Sequence, residues 1–399
     1  MQFDLVFEGG GAKGMVFVGA LQELERRGHI VGRLLGTSAG AIVATYMAAG
    51  FAVDEMFTAL REKDENGVPV FQKFLERPRP LSPQEIATSA TRKALQRLDL
   101  RYIPDFLEDR LDRFILGLMS QDEMAHFFSF IERGGWFSAD AFLDWARSKL
   151  DQASPDGRSR KFSGLTFAEF HRQTGRELSL VAADTTSHSL LVLNHHTAPR
   201  LPVVWGMRMS MSLPLLWQEV IWQPEWGSYL DRSLIGHRIV DGGLLSNFPI
   251  ELFLSNDPYV VSMMGPKTSH SVLGLLIDES LPVAGAEPAP DAGETPDVSL
   301  ADLAPAVRMV NLVETATKAH DKLVIEAFDQ FVCRLPARGY KTTEFDMTDE
   351  RREKLIAAGQ AAMSNYFRSA ETQGMKGPDV GEMERAMNRA DRIAGKLLR

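Results

Sequence analysis

Phe7-Glu8-Gly9-Gly10-Gly11-Ala12-Lys13-Gly14 is a glycine-rich segment near the N-terminus, and its surroundings indicate the class of fold. It follows a β-rich run at residues 3–7 and leads into residues 14–27, where apolar side chains recur at helical spacing before Gly28. Glycine at that point is a typical helix stop. A strand, a glycine-rich loop and a helix in this order begin a β–α unit, so the stretch predicts an α/β protein with a parallel sheet.

A second β–α unit follows directly. The apolar run at residues 30–35 leads into Gly36-Thr37-Ser38-Ala39-Gly40, and a second apolar segment of helical character comes next. In such a Gly-x-Ser-x-Gly pattern, Gly36 and Gly40 let a strand turn sharply into a helix and expose the hydroxyl of Ser38 at the edge of the sheet. The helix N-terminus at that point stabilises negative charge. The pattern predicts a nucleophilic serine.

The glycine loop also fits a dinucleotide-binding fingerprint, with Gly9, Gly11 and Gly14 at the required positions. Such a site needs an acidic residue at the end of the second strand to hold a ribose, whereas here that strand leads into Ser38. A P-loop needs Ser or Thr after its lysine, and Lys13 is followed by glycine. Close to an exposed serine, the loop amides are better interpreted as a cradle for the negative charge formed in acyl transfer.

A serine hydroxyl needs a base to become a good nucleophile. In α/β-hydrolases the histidine comes last in the chain, but the late histidines His270 and His320 lie in no recognisable motif. Asp241 is the better candidate, because it ends a short apolar run and precedes two glycines that permit close backbone approach. At a strand end its carboxylate would share the functional rim of the sheet with Ser38 and could take its proton.

Composition excludes several other classes of protein. The 399 residues are 44% apolar and 24% charged, as in ordinary globular proteins, and the net charge of −9 opposes broad attraction to nucleic acid. Cys333 is the single cysteine, so no internal disulfide forms. Residues 1–7 lack the features of an export signal, and the longest apolar stretch, residues 41–53, is too short to span a bilayer. We therefore predict a cytoplasmic protein.

Beyond the second unit the pattern changes. Residues 61–161 read as helices separated by polar loops, with a capping box at Ser82-Pro83-Gln84-Glu85, and predict a helical insertion that covers the sheet. Strand character returns afterwards, and we expect strands at the following positions: 178–183, 189–193, 239–240 and 259–263.

The last third is predicted to be mostly helical. Residues 281–298 are rich in Pro, Ala, Gly and acids, which favours a flexible loop. Helices are expected to resume at Ser299 and again after Thr348, so that residues 299–370 form a helical region packed on the core.

The final segment, residues 371–399, is predicted to be a basic amphipathic tail. We favour a helix docked on its own domain or on a partner subunit. The alternative is that residues 383–399 lie in a membrane surface, where anionic lipid would attract the cations. The cations are Arg385, Arg389, Arg392, Lys396 and Arg399, and the apolar face carries Met383, Met387, Ala390, Ile393 and Leu397.

Three ordered motifs resemble those of bacterial patatin-like phospholipases: residues 8–14, residues 36–40 and Asp241-Gly242-Gly243. The resemblance covers residues 3–265, and we place the catalytic domain at residues 1–275. The C-terminal third resembles bacterial members only loosely. Other stretches agree as well: from Leu165-Thr166-Phe167 through Ala183-Asp184, residues 207–214 and Asn247-Phe248-Pro249.

The resemblance implies a three-layer α/β/α fold with a central, mostly parallel sheet, and a Ser–Asp dyad that works without histidine. By that resemblance Ser38 would be the acylated nucleophile and Asp241 the general base. The amides around Gly10, Gly11 and Ala12 would form the oxyanion hole. The substrates would be glycerophospholipids or other lipid acyl esters, hydrolysed without a metal or another cofactor.

Two alternatives stay open from the sequence. An acyltransferase would share these motifs and pass the acyl group to an alcohol or thiol, and a lipid-binding protein would carry a silent site. One departure from the family pattern is a set of larger side chains before Pro214, which suits an acyl-chain pocket and a plain core equally well. These side chains are Met207, Met209, Met211 and Leu213.

Overall fold

The computed structural model describes residues 1–95, 113–267, 271–286, 315, 328–372 and 380–398. In the described part, eight strands form the main sheet and two more form a small parallel sheet. In chain order the strands are β1 (Gln2–Phe7), β2 (Ile30–Thr37), β3 (Gly135–Phe137), β4 (Leu178–Asp184), β5 (Ser189–Leu193), β6 (Leu215–Trp217), β7 (Val220–Ile221), β8 (Arg238–Asp241), β9 (Ser271–Pro282) and β10 (Val332–Arg338).

The main sheet is mostly parallel, as predicted. Its order is β10-β9-β1-β2-β4-β8-β7. The five strands from β10 to β4 are parallel neighbours, whereas β8 pairs antiparallel with β4 and β7 pairs antiparallel with β8. Strand β5 also pairs antiparallel with β4. Strands β3 and β6 form the separate small sheet.

All seven residues of β4 are buried. Successive side chains of a strand point to opposite faces, so both faces of the sheet are covered, and helices cover them. Short 3₁₀ helices occupy residues 11–15, 70–75, 122–124, 224–226, 242–244 and 329–331. The α-helices are α1 (Val16–Arg26), α2 (Ala39–Ala48), α3 (Val53–Leu60), α4 (Pro83–Thr88), α5 (Ala90–Leu95), α6 (Ala125–Arg133), α7 (Asp140–Leu150), α8 (Phe167–Thr174), α9 (Val203–Ser210), α10 (Glu251–Leu254), α11 (Pro258–Met264), α12 (Asp349–Thr372) and α13 (Val380–Leu398).

The region at residues 61–161 is mostly helical where it is described, although it also supplies strand β3. The predicted capping box is present: the Ser82 hydroxyl accepts the Glu85 N–H at 3.3 Å, and the Ser82 N–H donates to the Glu85 carboxylate at 2.8 Å. Helix α7 anchors the region to the core, where the ring of Trp145 packs edge-on against that of Tyr46 of α2 with centroids 5.7 Å apart.

Two predictions about the later elements are wrong. Residues 259–263 belong to helix α11, because Asp257 accepts hydrogen bonds from the N–H groups of Tyr259 and Val260 and Pro258 occupies the first helical position. The region at 299–370 is not wholly helical, since β10 lies within it. Its sequence reads poorly as a strand because it contains Pro336 and two arginines, which an edge strand tolerates.

Strand β9 is an element that the sequence does not predict, and it lies in the main sheet between β1 and the edge strand β10. Its last residues, 281–282, fall in the segment predicted to be a flexible loop. The rest of that loop from residue 287, and the helix predicted at Ser299, lie outside the described residues. The helix predicted after Thr348 is confirmed as α12.

Helix α13 docks on its own domain, against α10 and β5. Its small side chains Ala386, Ala390 and Ala394 are buried. The Asp391 carboxylate accepts the Ser255 hydroxyl at 2.6 Å and caps the backbone of the turn that follows α10. The docked interpretation of the tail therefore describes this structure.

Contact of the tail with a membrane stays a prediction, which co-sedimentation with anionic vesicles would test. The cations at 389, 392 and 396 are exposed on the outer side of α13. Among the described helices, none combines the length and the apolar character needed to cross a bilayer.

Helices α1 and α12 touch backbone to backbone through two glycines. A Cβ atom on Gly19 would lie 1.8 Å from the carbonyl oxygen of Ile356, and one on Gly359 would lie 2.1 Å from that of Val16. Real Cβ atoms do not approach carbonyl oxygens so closely, so neither site can accept a larger residue without separation of the helices. Helix α12 is therefore built into the core.

We predict opposite effects of the same substitution at two helical glycines. Gly359→Ala should lower the midpoint of thermal unfolding, because its methyl group collides with Val16. Gly395→Ala in α13 should raise it slightly, since a Cβ there meets nothing within 4 Å and alanine is favoured over glycine in helices by about 1 kcal/mol. Thermal melts followed by circular dichroism would measure both. Equal shifts would contradict the close packing of α1 and α12.

Candidate active site

Ser38 stands at the turn from β2 into α2, as the elbow pattern predicts. Its φ is 52° and its ψ is −121°, a conformation that costs a non-glycine residue about 1–3 kcal/mol. The turn needs glycine on both sides. A Cβ atom on Gly36 would lie 2.3 Å from the Gly40 carbonyl oxygen, and one on Gly40 would lie 2.4 Å from that of Phe7. The tight turn explains why small residues flank the serine.

Asp241 reaches the same level of the sheet from the other side of β4. Thr37 of β2 pairs with Val181, while Asp241 pairs with the next residue, Ala182. The prediction placed Asp241 at the rim where parallel strands end, but β8 runs antiparallel. It enters the sheet at that rim and ends after four residues, which leaves its last side chain level with Ser38.

The carboxyl group of Asp241 is fully buried. Its Oδ1 atom accepts the Gly243 N–H at 2.7 Å, whereas Oδ2 accepts no hydrogen bond of regular geometry from the described residues. Burial raises the pKa of Asp241 to about 7, and hydrogen bonding from the Ser38 side chain and the Gly243 backbone opposes part of that rise. The serine hydroxyl therefore lies beside the carboxyl group without an aligned hydrogen bond, as is common before substrate binds.

One short segment holds the backbone of both residues. The Ser38 N–H donates to the Ser210 hydroxyl at 3.0 Å, and that hydroxyl donates to the Val181 carbonyl at 2.6 Å. Two residues further on, the Ser212 carbonyl accepts the Asp241 N–H at 2.9 Å. Sequence reasoning missed both serines. They lie within residues 207–214, where they alternate with methionines and belong to no recognisable motif of their own.

The glycine loop lies next to Ser38, and its amides differ in availability. The Ala12 N–H, a predicted oxyanion donor, already donates to the Thr342 carbonyl at 2.9 Å, so it is not free in this structure. The N–H groups of Gly10 and Gly11 have no acceptor among the described residues. Gly11 has a φ of 53°, and a Cβ on it would lie 2.2 Å from the Thr342 oxygen. The two glycine amides remain the candidates for an oxyanion hole.

Side chains of later elements hold this loop in place. The Glu8 carboxylate accepts the Ile277 N–H of β9 at 2.6 Å. Buried Lys13 forms an ion pair with Glu279, also of β9. The Asn247 side chain donates to the Gly9 carbonyl at 2.8 Å. The loop is thus held by three contacts, two with β9 and one with the segment that follows β8, which stiffens its amides.

An apolar pocket that is open to solvent lies beside Ser38. Met211 and Leu213 line it, whereas Met207 and Met209 are fully buried in the core. Two of the four larger side chains before Pro214 therefore belong to the pocket and two to the core. No histidine lines this pocket; His270 and His320 lie outside the described residues. The other lining residues are Gly11, Ala12, Gly14, Met15, Ala39, Ile42, Val43, Leu60, Phe71, Phe74, Phe142, Trp217 and Phe345.

Comparison with known families agrees with this arrangement. The sequence profile described as "Patatin-like phospholipase" matches residues 5–254, which is more than half of the chain. The chain belongs to the patatin-like phospholipase family. Membership confirms the predicted fold class and assigns the chain to a class of lipid hydrolases. The matched region ends before β9, so the last two strands of the sheet lie outside it.

Individual relatives are distant. The Bacillus subtilis protein YqhO is 26% identical over 368 residues, which cover 90% of this chain and 96% of that protein. A probable lipid hydrolase, 463L of Invertebrate iridescent virus 6, is 19% identical over 62% of each chain. Among solved structures, VipD of Legionella pneumophila aligns with 92% of this chain and 67% of its own, at 18% identity and a TM-score of 0.44.

The burial of Asp241 predicts a gain in stability when its charge is removed. Between the ordinary pKa of 3.8 and about 7 the unfolded chain releases this proton while the folded chain keeps it, so stability falls as pH rises through that range. Asp241→Asn should therefore stabilise the protein at pH 8 and have much less effect at pH 4. Urea unfolding at both pH values would measure the difference.

Asp184 of β4 provides a control, because the same substitution there should change the stability in the opposite direction. Burial alone would raise its pKa, but hydrogen bonds from Ser187, His237 and nearby backbone amides lower it instead. Its charge is therefore compensated in the folded state, and Asp184→Asn should destabilise the protein at pH 8. Destabilisation of both variants at pH 8 would contradict an uncompensated charge at Asp241.

Proposed function

We propose that the chain is a phospholipase A-type lipid acyl hydrolase, which cleaves acyl esters of glycerophospholipids through an acyl-enzyme intermediate on Ser38. The observation that carries this proposal is the juxtaposition of the Ser38 hydroxyl with the buried carboxyl group of Asp241, beside an apolar pocket. Family membership supplies the general class, and the site residues supply the proposed chemistry.

The first half of the reaction needs a base, and Asp241 is placed to be that base. Its ionised carboxylate takes the proton from the Ser38 hydroxyl as the serine oxygen attacks the ester carbonyl. The negative charge that develops on the carbonyl oxygen is stabilised by the free N–H groups of Gly10 and Gly11. Collapse of this intermediate breaks the ester bond, and Asp241 returns the proton to the departing alcohol of the lysolipid.

The second half repeats these steps with water. Asp241, ionised again, takes a proton from a water molecule, which attacks the acyl-serine carbonyl. The oxyanion forms against the same glycine amides, and the Ser38 oxygen leaves with the proton held by Asp241. The products are a free fatty acid and the regenerated enzyme. A pKa of about 7 suits a group that must both accept and donate a proton near neutral pH.

The pocket suits the acyl chain. Its wall consists of aromatic and aliphatic side chains, which gain free energy by contact with methylene groups at about 0.8 kcal/mol per buried CH₂. The helical region at 61–161 supplies Phe71, Phe74 and Phe142 to that wall, and the C-terminal region supplies Phe345. The pocket therefore favours lipid esters over small polar esters.

Substitution of the two residues provides the direct test. Ser38→Ala should abolish hydrolysis of p-nitrophenyl butyrate and of phosphatidylcholine, and it should abolish labelling by a fluorophosphonate probe. Asp241→Asn should lower kcat/KM by about 10³-fold or more, because the base is lost. Ser262→Ala, at an exposed serine of α11, is the matched control and should behave as wild type. Retained turnover in Ser38→Ala would end the proposal.

The pH dependence should identify the base. If Asp241 must be ionised, kcat/KM should increase about tenfold per pH unit at low pH and level off above an apparent pKa of about 7. The rates would be measured with p-nitrophenyl butyrate between pH 4.5 and 9, within the range where the fold is intact. A profile already flat at pH 5 would show that a group with an ordinary carboxyl pKa, or none, controls the reaction.

A further inference from the structure

A cluster of three histidines and one glutamate lies at the rim of the sheet opposite Ser38. His171 comes from α8, Glu177 immediately precedes β4, and His195 and His196 follow β5. Since β2 and β4 are parallel, the start of β4 and the end of β2 lie at opposite rims. We call these four residues the histidine cluster. It has no part in the proposed acyl transfer.

The polar atoms of the histidine cluster face one another without hydrogen bonds. His171 Nε2 lies 3.9 Å from Glu177 Oε1, and His195 Nδ1 and His196 Nε2 lie 3.7 and 3.9 Å from Glu177 Oε2. These distances are too long for hydrogen bonds. Among the described residues, no donor bonds to the Glu177 carboxylate in their place. One ligand atom from each of His171, Glu177 and His195 lies within 4.8 Å of the others.

The backbone around the histidine cluster is well anchored. The Leu34 N–H of β2 donates to the Glu177 carbonyl at 2.8 Å. The Asn194 side chain accepts the His196 N–H at 2.8 Å and donates to the Ser179 hydroxyl at 3.0 Å. The side chains are therefore presented by fixed elements rather than by a free loop.

One ring is already oriented for a ligand. His171 Nδ1 lies 3.1 Å from the Arg176 carbonyl oxygen. Because a carbonyl oxygen only accepts, Nδ1 carries the proton of a neutral ring, and Nε2 presents its lone pair on the side of Glu177. A hydrogen bond from the distal ring nitrogen to a backbone carbonyl is the usual support of a metal-binding histidine.

We propose that His171, Glu177 and His195 bind one divalent cation of the zinc type, with His196 adjacent as a further ligand. Two imidazole nitrogens and one carboxylate form a ligand set for Zn²⁺ and its neighbours in the first transition series, whereas Mg²⁺ and Ca²⁺ prefer oxygen alone. Zinc binds these groups at about 2.0–2.2 Å, so two ligand atoms of a tetrahedral site lie about 3.4 Å apart. The histidine–glutamate distances of 3.7 and 3.9 Å are close to this spacing, whereas the widest separation between ligand atoms, up to 4.8 Å, must contract on binding.

Binding requires one movement. The rings of His171 and His195 are stacked, with centroids 3.8 Å apart and planes 2° from parallel, and a metal lies in the plane of each imidazole that binds it. The rings must therefore rotate out of the stack. Their side chains are 33% and 16% exposed, which leaves room for the rotation and for a water molecule on the ion.

The site lies at the rim opposite Ser38, so a bound ion would have a structural role and no catalytic one. A bound ion would tie α8 to the start of β4 and the end of β5. It would stabilise the folded chain, because the ligands come together only on folding. It would leave the chemistry at Ser38 unchanged, so the proposal does not depend on the proposed function.

Calorimetry with Zn²⁺ tests the proposal. The full chain, without a purification tag and first treated with a chelator, should bind one Zn²⁺ saturably, and its thermal midpoint should rise on binding. His171→Ala, His195→Ala and Glu177→Gln should each weaken binding by about tenfold or more and remove the thermal shift. His188→Asn is the matched control, because His188 is exposed on the β4–β5 hairpin with a φ of 55°, which asparagine tolerates.

Two readouts keep the result independent of folding defects and of activity. Circular dichroism of each metal-free variant reports whether it is folded, and Glu177→Gln preserves the shape of the side chain. Substitution with Co²⁺ should produce visible absorption bands in the wild type and in His188→Asn, and weak or no bands in the other three variants. Absence of saturable binding by the wild type, or equal Zn²⁺ affinity in folded variants of the histidine cluster, would overturn the proposal.

Discussion

A carboxyl group without a compensating charge, buried against a strained serine, is the constraint on which the site depends. Among the described residues no cation contacts Asp241, and only one backbone amide and the Ser38 hydroxyl oppose the effect of burial on its pKa. In water such a group would be a weak base. Inside the protein its ionised form is destabilised, which makes it able to take a proton from an alcohol near neutral pH. The buried charge lowers the stability of the folded protein.

The surrounding structure keeps both residues in these costly positions. The Ser210 hydroxyl fixes the Ser38 backbone and the Ser212 carbonyl fixes that of Asp241, so one segment at the C-terminal end of α9 sets their relative position. A shift of that segment would move both groups together. Such shared support maintains a short contact better than two independent anchors, because the two side chains cannot drift apart separately.

The C-terminal region completes a site that begins in the first forty residues. Strand β9 holds the glycine loop through Ile277 and Glu279, the Thr342 carbonyl occupies the Ala12 amide, and Phe345 closes part of the pocket. These residues lie outside the part of the chain that matches the family profile. The family motifs therefore account for the reacting groups, while the later part of the chain shapes their surroundings.

Local sequence was sufficient for the elements whose signals are local. The glycine loop, the Gly-x-Ser-x-Gly turn around Ser38, the capping box at Ser82 and the parallel sheet could all be read from spacing, because steric limits on a turn or cap act within a few residues. Strands β9 and β10 could not, since their partners are far away in the chain. The run at 259–263 was misread because a capping aspartate outweighed its strand-like composition.

The amino-acid sequence alone identified the reacting groups: a serine on a sharp turn, a glycine-rich loop of backbone amides and an aspartate before two glycines. The fold added that β8 runs antiparallel, that Asp241 therefore lies level with Ser38, and that the Ala12 amide is already bonded while those of Gly10 and Gly11 are not. It also brought His171, Glu177 and His195 together. The physical reason is that strand pairing and burial depend on contacts between distant segments, which no local pattern records.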